Sequence, residues 1–171
     1  MIIEESGTTP EGYVYTIILK YDTGYRNGYI GVFDDSILYK QGYKDEVNNK
    51  SISSVVDVHG GITYSGFLGR FIVGAENPWY FGFDCNNFDN LMVEPKDIER
   101  ILIGTNHFTG GEIVKIMDRY YHVYAIMNST INLEATVKSK EFVYEQCVIM
   151  SKQIKEFEEE LNVDVWTIIT N

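Results

Sequence analysis

The chain has 171 residues, of which 44% are hydrophobic, and a formal net charge of −11. That length and apolar content fit one globular domain with a real core and argue against a disordered chain. The charge argues against a phosphate-gripping nucleic-acid binder, which needs clustered Lys and Arg, and against adsorption to an anionic membrane.

The first residues, Met1-Ile2-Ile3-Glu4-Glu5, have neither the basic region nor the apolar run of a signal peptide. No apolar run approaches the ~20 residues needed to span a bilayer, so a cytoplasmic protein is expected. Tyr13–Tyr21 is rich in β-branched and aromatic residues and reads as a strand. Asp22–Gly28 has the chemistry of a turn, and Tyr29–Phe33 reads as the return strand of a hairpin. Gly31 within that strand implies a bulge or a close approach. Gln41–Ser54 reads as a polar surface loop.

Val58-His59-Gly60-Gly61-Ile62-Thr63-Tyr64-Ser65-Gly66 then stands out. Ile62–Tyr64 has the pattern of a short strand, framed by glycines that permit φ > 0 and close approach. Phe67–Pro78 reads as irregular. Trp79-Tyr80-Phe81-Gly82-Phe83-Asp84 reads as an aromatic strand ending in a carboxylate, and Asn86–Asn90 as a polar loop.

Pro95–Ile103 opens with proline and carries Ile98, Ile101 and Leu102 at helical spacing. Gly110-Gly111 reads as punctuation. Glu112–Met127 has helical spacing but enough aromatic residues to suit a strand. Ser139–Leu161 is the clearest helix, with Val143, Cys147, Met150, Ile154, Phe157 and Leu161 on one stripe. Val163–Thr170 reads as a last strand. The expected fold is α+β: a single domain with an antiparallel sheet from the first half packed against helices from the second. A stripe wider than the sheet can cover would mark a homo-oligomer.

The ordered blocks Gly28-Tyr29-Ile30-Gly31-Val32, His59-Gly60-Gly61-Ile62-Thr63-Tyr64-Ser65-Gly66 and Trp79-Tyr80-Phe81-Gly82-Phe83-Asp84-Cys85, with a late amphipathic helix, resemble a family of small proteins found in bacteriophages, prophages and bacterial genomes. The resemblance covers Tyr25–Asp89 and the helix. It departs at Asn87, where the family pattern places a histidine. It implies a phage-type origin and points to the His59 and Asp84 blocks as walls of a site.

The residue chemistry there suits a small nucleotide-like ligand. Tyr29, Tyr64 and Trp79 offer stacking, and Asp84 and Asn87 offer base or ribose hydrogen bonds, with Thr63 beside them. His59, Arg70 and the Gly60 and Gly61 amides offer phosphate contacts, with Arg26 as a second guanidinium. Phages counter bacterial defence systems that signal through cyclic nucleotides or cyclic ADP-ribose, by binding or degrading the signal. Sequestration is the first expectation, because the catalytic set is thin.

If the chain is an enzyme, His59 is the acid/base and Asp84 its orienter. The plain alternative is that His59 serves a turn and Asp84 caps its strand on the Asn86-Asn87 backbone. A third reading is an acidic interaction module that mimics nucleic acid. No cofactor is implied: Gly60-Gly61 lacks the Lys-Ser/Thr of a phosphate-binding loop. His59, Asp84, Cys85 and Asp89 lack the spacing of a zinc site. Cys85 and Cys147 read as free thiols, and His107 and His122 as surface or core-edge residues.

Overall fold

The structure is a computed structural model describing residues 1–69, 77–86, 90–128 and 135–169. Five antiparallel strands form the main sheet: β1 (Ile2–Thr8), β2 (Val14–Lys20), β3 (Tyr25–Val32), β6 (Tyr64–Gly66) and β7 (Trp79–Asp84), in the order β1-β2-β3-β7-β6. Helices follow in the second half: α2 (Pro95–Gly104), α3 (Gly110–Asn128) and α4 (Lys140–Ile169). The expected α+β architecture is therefore the one observed.

β1 reads as polar because it is an edge. It bears Glu4, Glu5 and Ser6 and a register irregularity between Ile3 and Glu5, both of which blunt edge-to-edge pairing. The β2–β3 turn is shorter than Asp22–Gly28. Gly24 at φ 71° closes it, its amide donating to Lys20 O at 2.6 Å, and β3 begins at Tyr25.

β3 and β7 pair glycine against aromatic: Gly28 with Phe83, Tyr29 with Gly82, and Gly31 with Tyr80. A Cβ on Gly31 would lie 2.7 Å from Val14 Cγ2 and 2.9 Å from Tyr80 Cε1. Its register is unbroken, so Gly31 marks a close approach and not a bulge. The glycines make room for rings on the adjacent strand.

The segment expected as a loop over Gln41–Ser54 carries a small hairpin, β4 (Glu46–Val47) with β5 (Lys50–Ser51), and the start of a short helix, α1 (Ile52–Val55). Asn48 and Asn49 both take positive φ in its two-residue turn, as a tight hairpin requires. β6 starts two residues later than expected, at Tyr64, although Thr63 N already donates to Gly82 O at 2.9 Å. β7 spans the predicted Trp79–Asp84. Within the expected loop Asn86–Asn90, residues 87–89 lie outside the described ones. Asn90 opens a two-residue strand, β8 (Asn90–Leu91), parallel to β9 (Thr136–Val137).

α2 begins with Pro95 in its first turn and buries Pro95, Ile98 and Leu102. Glu112–Met127 is helical, and Gly110-Gly111 belongs to that helix. Thr109 and Glu112 form a reciprocal cap: Thr109 N donates to Glu112 Oε2 at 2.8 Å, and Glu112 N to Thr109 Oγ1 at 3.3 Å. Tyr120 seats α3 by donating to Val93 O at 2.6 Å.

α4 lies across β2 and β3, burying the predicted stripe against Tyr15, Ile17, Ile30, Phe81 and Phe83. Beside Gly28 it comes close enough that a Cβ there would sit 2.8 Å from Cys147 Sγ. The expected strand Val163–Thr170 is a correction: α4 runs on to Ile169, and Thr170 lies outside the described residues. Extending an existing helix needs no new nucleus, and that outweighs the modest β-preference of Val, Trp and Ile. A second core joins Ile2, Leu19 and Tyr25 to Met92, Val93, Ile98, Leu102, Met117 and Tyr120.

Candidate ligand-binding face

Side chains alternate across a sheet. Tyr15, Ile17, Ile30, Phe81 and Phe83 point to α4, so Thr16, Ile18, Asn27, Tyr29, Tyr80 and Asp84 point the other way. The apolar cluster on this second face is Ile18, Tyr29 and Tyr80 with Val14, Tyr64 and Leu68, none of them helical.

Within this face the register gathers a polar group. Asn27 and Tyr29 are two residues apart on β3, and Asn27 Nδ2 donates to Tyr29 Oη at 3.1 Å. Asp84 is the cross-strand neighbour of Asn27. Its Oδ2 accepts from Thr63 Oγ1 at 3.1 Å and its Oδ1 from Asn86 N at 3.1 Å. Tyr64 stands edge-on to Tyr29, ring centres 5.6 Å apart, and donates to Phe67 O at 2.8 Å. Burial pushes the Tyr29 phenol above its usual range; the bond from Asn27 opposes this, and the nearby Tyr64 and Asp84 add to it. Tyr29 therefore keeps its proton at neutral pH.

Asn27 is 4% exposed, yet its Oδ1 has no hydrogen-bond partner among the described residues. A buried acceptor left unpaired costs about 1–3 kcal/mol. The face thus buries an unpaired amide oxygen next to a carboxylate, with two tyrosine rings alongside. Such a set recognises a flat group rich in N–H donors.

Of the residues expected to form the site, Tyr29, Thr63, Tyr64 and Asp84 come together here. His59 is placed elsewhere: its amide donates to Gln146 Oε1 of α4 at 2.8 Å, and its ring stands edge-on to Phe142 with centres 5.3 Å apart. Asp84 caps the backbone at Asn86, as the plain alternative expected. Gly60 and Gly61 take φ 74° and 73° in the turn between, and the Gly61 amide donates to Val58 O at 2.9 Å.

Trp79 lies on the α4 side, packed against that core. Its Nε1 donates to Gln41 O at 2.8 Å and its ring is edge-on to Phe67, so it does not stack with Tyr29 and Tyr64. Arg70 and Asn87 lie outside the described residues. Arg26 is engaged: Nε and Nη2 donate to Glu4 at 2.6 and 3.0 Å, and Nη1 to Lys138 O at 3.0 Å.

Asn27 was not among the expected residues, because Tyr-Arg-Asn-Gly reads as a turn. The signal was the two-residue spacing from Asn27 to Tyr29 once both belong to one strand. Also absent from the sequence reading is a cleft of about 650 Å³ lined by Ile2, Arg26, Asp97, Arg100, Lys140 and Glu141. Its walls come from opposite ends of the chain. Among the described residues, no three His, Cys, Asp or Glu side chains are grouped to hold a metal. No described helix is long and apolar enough to cross a membrane. Comparison with family models, curated proteins and solved structures finds no match to this chain.

Proposed function

We propose that the protein binds and sequesters a small nucleotide-like ligand on the sheet face opposite α4, at Asn27, Tyr29, Tyr64 and Asp84. The observation that carries this reading is the buried, unpartnered Asn27 Oδ1 beside Asp84. A base edge donating N–H groups would satisfy Asn27 and share the Asp84 carboxylate, while Tyr29 and Tyr64 supply the aromatic wall. Binding is favoured over turnover because His59 and Asp84 take up separate contacts, His59 on α4 and Asp84 on Thr63 and Asn86. The resemblance to phage proteins supports a role in host cytoplasm, removing a cyclic nucleotide or cyclic ADP-ribose signal of antiphage defence.

The test is to mix the purified protein with a panel of cyclic nucleotides and cyclic ADP-ribose isomers, and to quantify free ligand before and after heat denaturation. A ligand that vanishes and returns intact on heating supports sequestration. A ligand that returns as a different molecule refutes it in favour of catalysis. A panel that stays free throughout removes the nucleotide reading.

A further inference from the structure

The hydrogen bonds around Asp84 decide which ligand edge fits there. Asp84 is half-buried at the end of β7, and each of its oxygens holds one bond: Oδ2 from Thr63 Oγ1 and Oδ1 from Asn86 N, both at 3.1 Å. A carboxylate has about four lone-pair sites, so each oxygen keeps one open. The donors beside it are committed. The Thr63 hydroxyl and the Asn86 amide are spent on Asp84 itself, and the Tyr64 hydroxyl on Phe67 O. Asn27, opposite Asp84 on β3, turns its amide nitrogen to Tyr29. Its oxygen, unpaired among the described residues, adds acceptor character behind the carboxylate.

We propose that the ligand of this site carries guanine, with Asp84 accepting from the guanine N1–H and from its 2-amino group. The inference rests on the ligand reading above and names the base. A carboxylate with both oxygens open is a fork of two acceptors, and it pairs with two donors standing side by side. Guanine presents such a pair. Adenine and cytosine each set an amino group beside a ring-nitrogen acceptor, and uracil has one N–H between two carbonyls. Each of these brings a lone pair against one Asp84 oxygen. Bonds to a charged acceptor are stronger than neutral ones, which widens the difference.

The same charge repels phosphate, so the base and not the phosphate is turned to Asp84. The half-buried Tyr64 ring, edge-on to Tyr29, supplies the flat wall beside it. Of the two kinds of signal considered above, a guanine cyclic nucleotide is selected, because cyclic ADP-ribose carries adenine.

The experiment is equilibrium dialysis of the full chain against 3′,5′-cyclic GMP, cyclic IMP and cyclic AMP, which differ only in the base. Cyclic GMP should bind most tightly. Cyclic IMP, which lacks the 2-amino group, should bind about tenfold or more weakly, and cyclic AMP no better. Asp84→Asn, with its fold checked by circular dichroism, turns one acceptor into a donor. It should weaken cyclic GMP by about tenfold or more and tighten cyclic AMP. Equal affinity for cyclic GMP and cyclic IMP, tighter binding of cyclic AMP, or an Asp84→Asn chain that weakens all three alike overturns the guanine assignment and leaves the ligand reading standing. Cyclic GMP that stays free overturns it as well. Cyclic ADP-ribose in the same dialysis then separates the two failures: its retention keeps the ligand reading, and a chain that retains none of the four ligands loses that reading too.

Discussion

Gly28→Ala tests why glycines punctuate the paired strands β3 and β7. An added Cβ would lie 2.5 Å from Phe83 Cε1 and Cζ and 2.8 Å from Cys147 Sγ. One wall belongs to the sheet and the other to α4, so neither ring nor helix can yield without disturbing the shared core. Overpacking of this kind costs about 1–3 kcal/mol, against a gain of about 0.4–1 kcal/mol from restricting the unfolded chain. For a chain of this size each kcal/mol moves Tm by about 2–4 °C, so the net loss of up to about 2.6 kcal/mol lowers Tm by as much as about 10 °C. The assay is thermal unfolding by circular dichroism, run as a cycle with Phe83→Leu. Phe83→Leu alone should destabilise, but the double variant should be more stable than the sum of the two changes, by about 0.5–3 kcal/mol. A raised Tm for Gly28→Ala, or strict additivity in the cycle, would refute this packing account of the glycines.

Other outcomes follow from the same geometry. Cys147 is fully buried and burial pushes its thiol up to about 12; Cys85 is buried as well. Neither should react with a thiol reagent in the native protein at neutral pH, and both should react in denaturant; rapid native labelling would contradict the packing of α4. Glu5 is held below its ordinary value by the bonds from Lys140 and Tyr15. Its contribution is therefore present above the usual carboxylate range near ~4.3 and lost as pH falls through the lowered value. Glu5→Gln should flatten the acid limb of a Tm–pH profile, and an unaltered limb would remove Glu5 from that role. Tyr15, bonded to Glu5, is pushed up to about 12. The bond stabilises below tyrosine's usual ~10 and is lost as pH rises through about 12, so Tyr15→Phe should lower Tm at neutral pH and flatten the alkaline limb.

The parts of the fold legible in the sequence were those with strong local periodicity. The α4 stripe, α2 with its leading proline, and the aromatic run of β7 all declare themselves within a few residues. What failed depended on distant partners. The polar Glu4-Glu5-Ser6 run is a strand only because β2 lies beside it. Asn27 looked like a turn residue until β2 fixed β3 as beginning at Tyr25. Val163–Ile169 is rich in β-favouring residues, yet continues a helix already formed. The candidate site shows the same division. Tyr29, Thr63, Tyr64 and Asp84 were identifiable as residue types, but the β6–β7–β3 register brings them together. Trp79 and His59 belonged to the same motifs and were separated from the cluster by strand parity and by the pull of Gln146 and Phe142 on α4.

The most direct measurement is the affinity of the panel ligand, by equilibrium dialysis, for the wild type, Asn27→Leu, Asp84→Asn, Lys140→Ala and Arg100→Ala. Asn27→Leu removes the unpaired acceptor and Asp84→Asn the charge beside it, whereas Lys140 and Arg100 line the separate cleft. The expected result is a loss of about tenfold or more for each of the first two, matching one charged or buried hydrogen bond, with the cleft variants unchanged. Full affinity in Asn27→Leu and Asp84→Asn, with loss in Lys140→Ala and Arg100→Ala, would contradict a site on the sheet face opposite α4 and move it to the cleft.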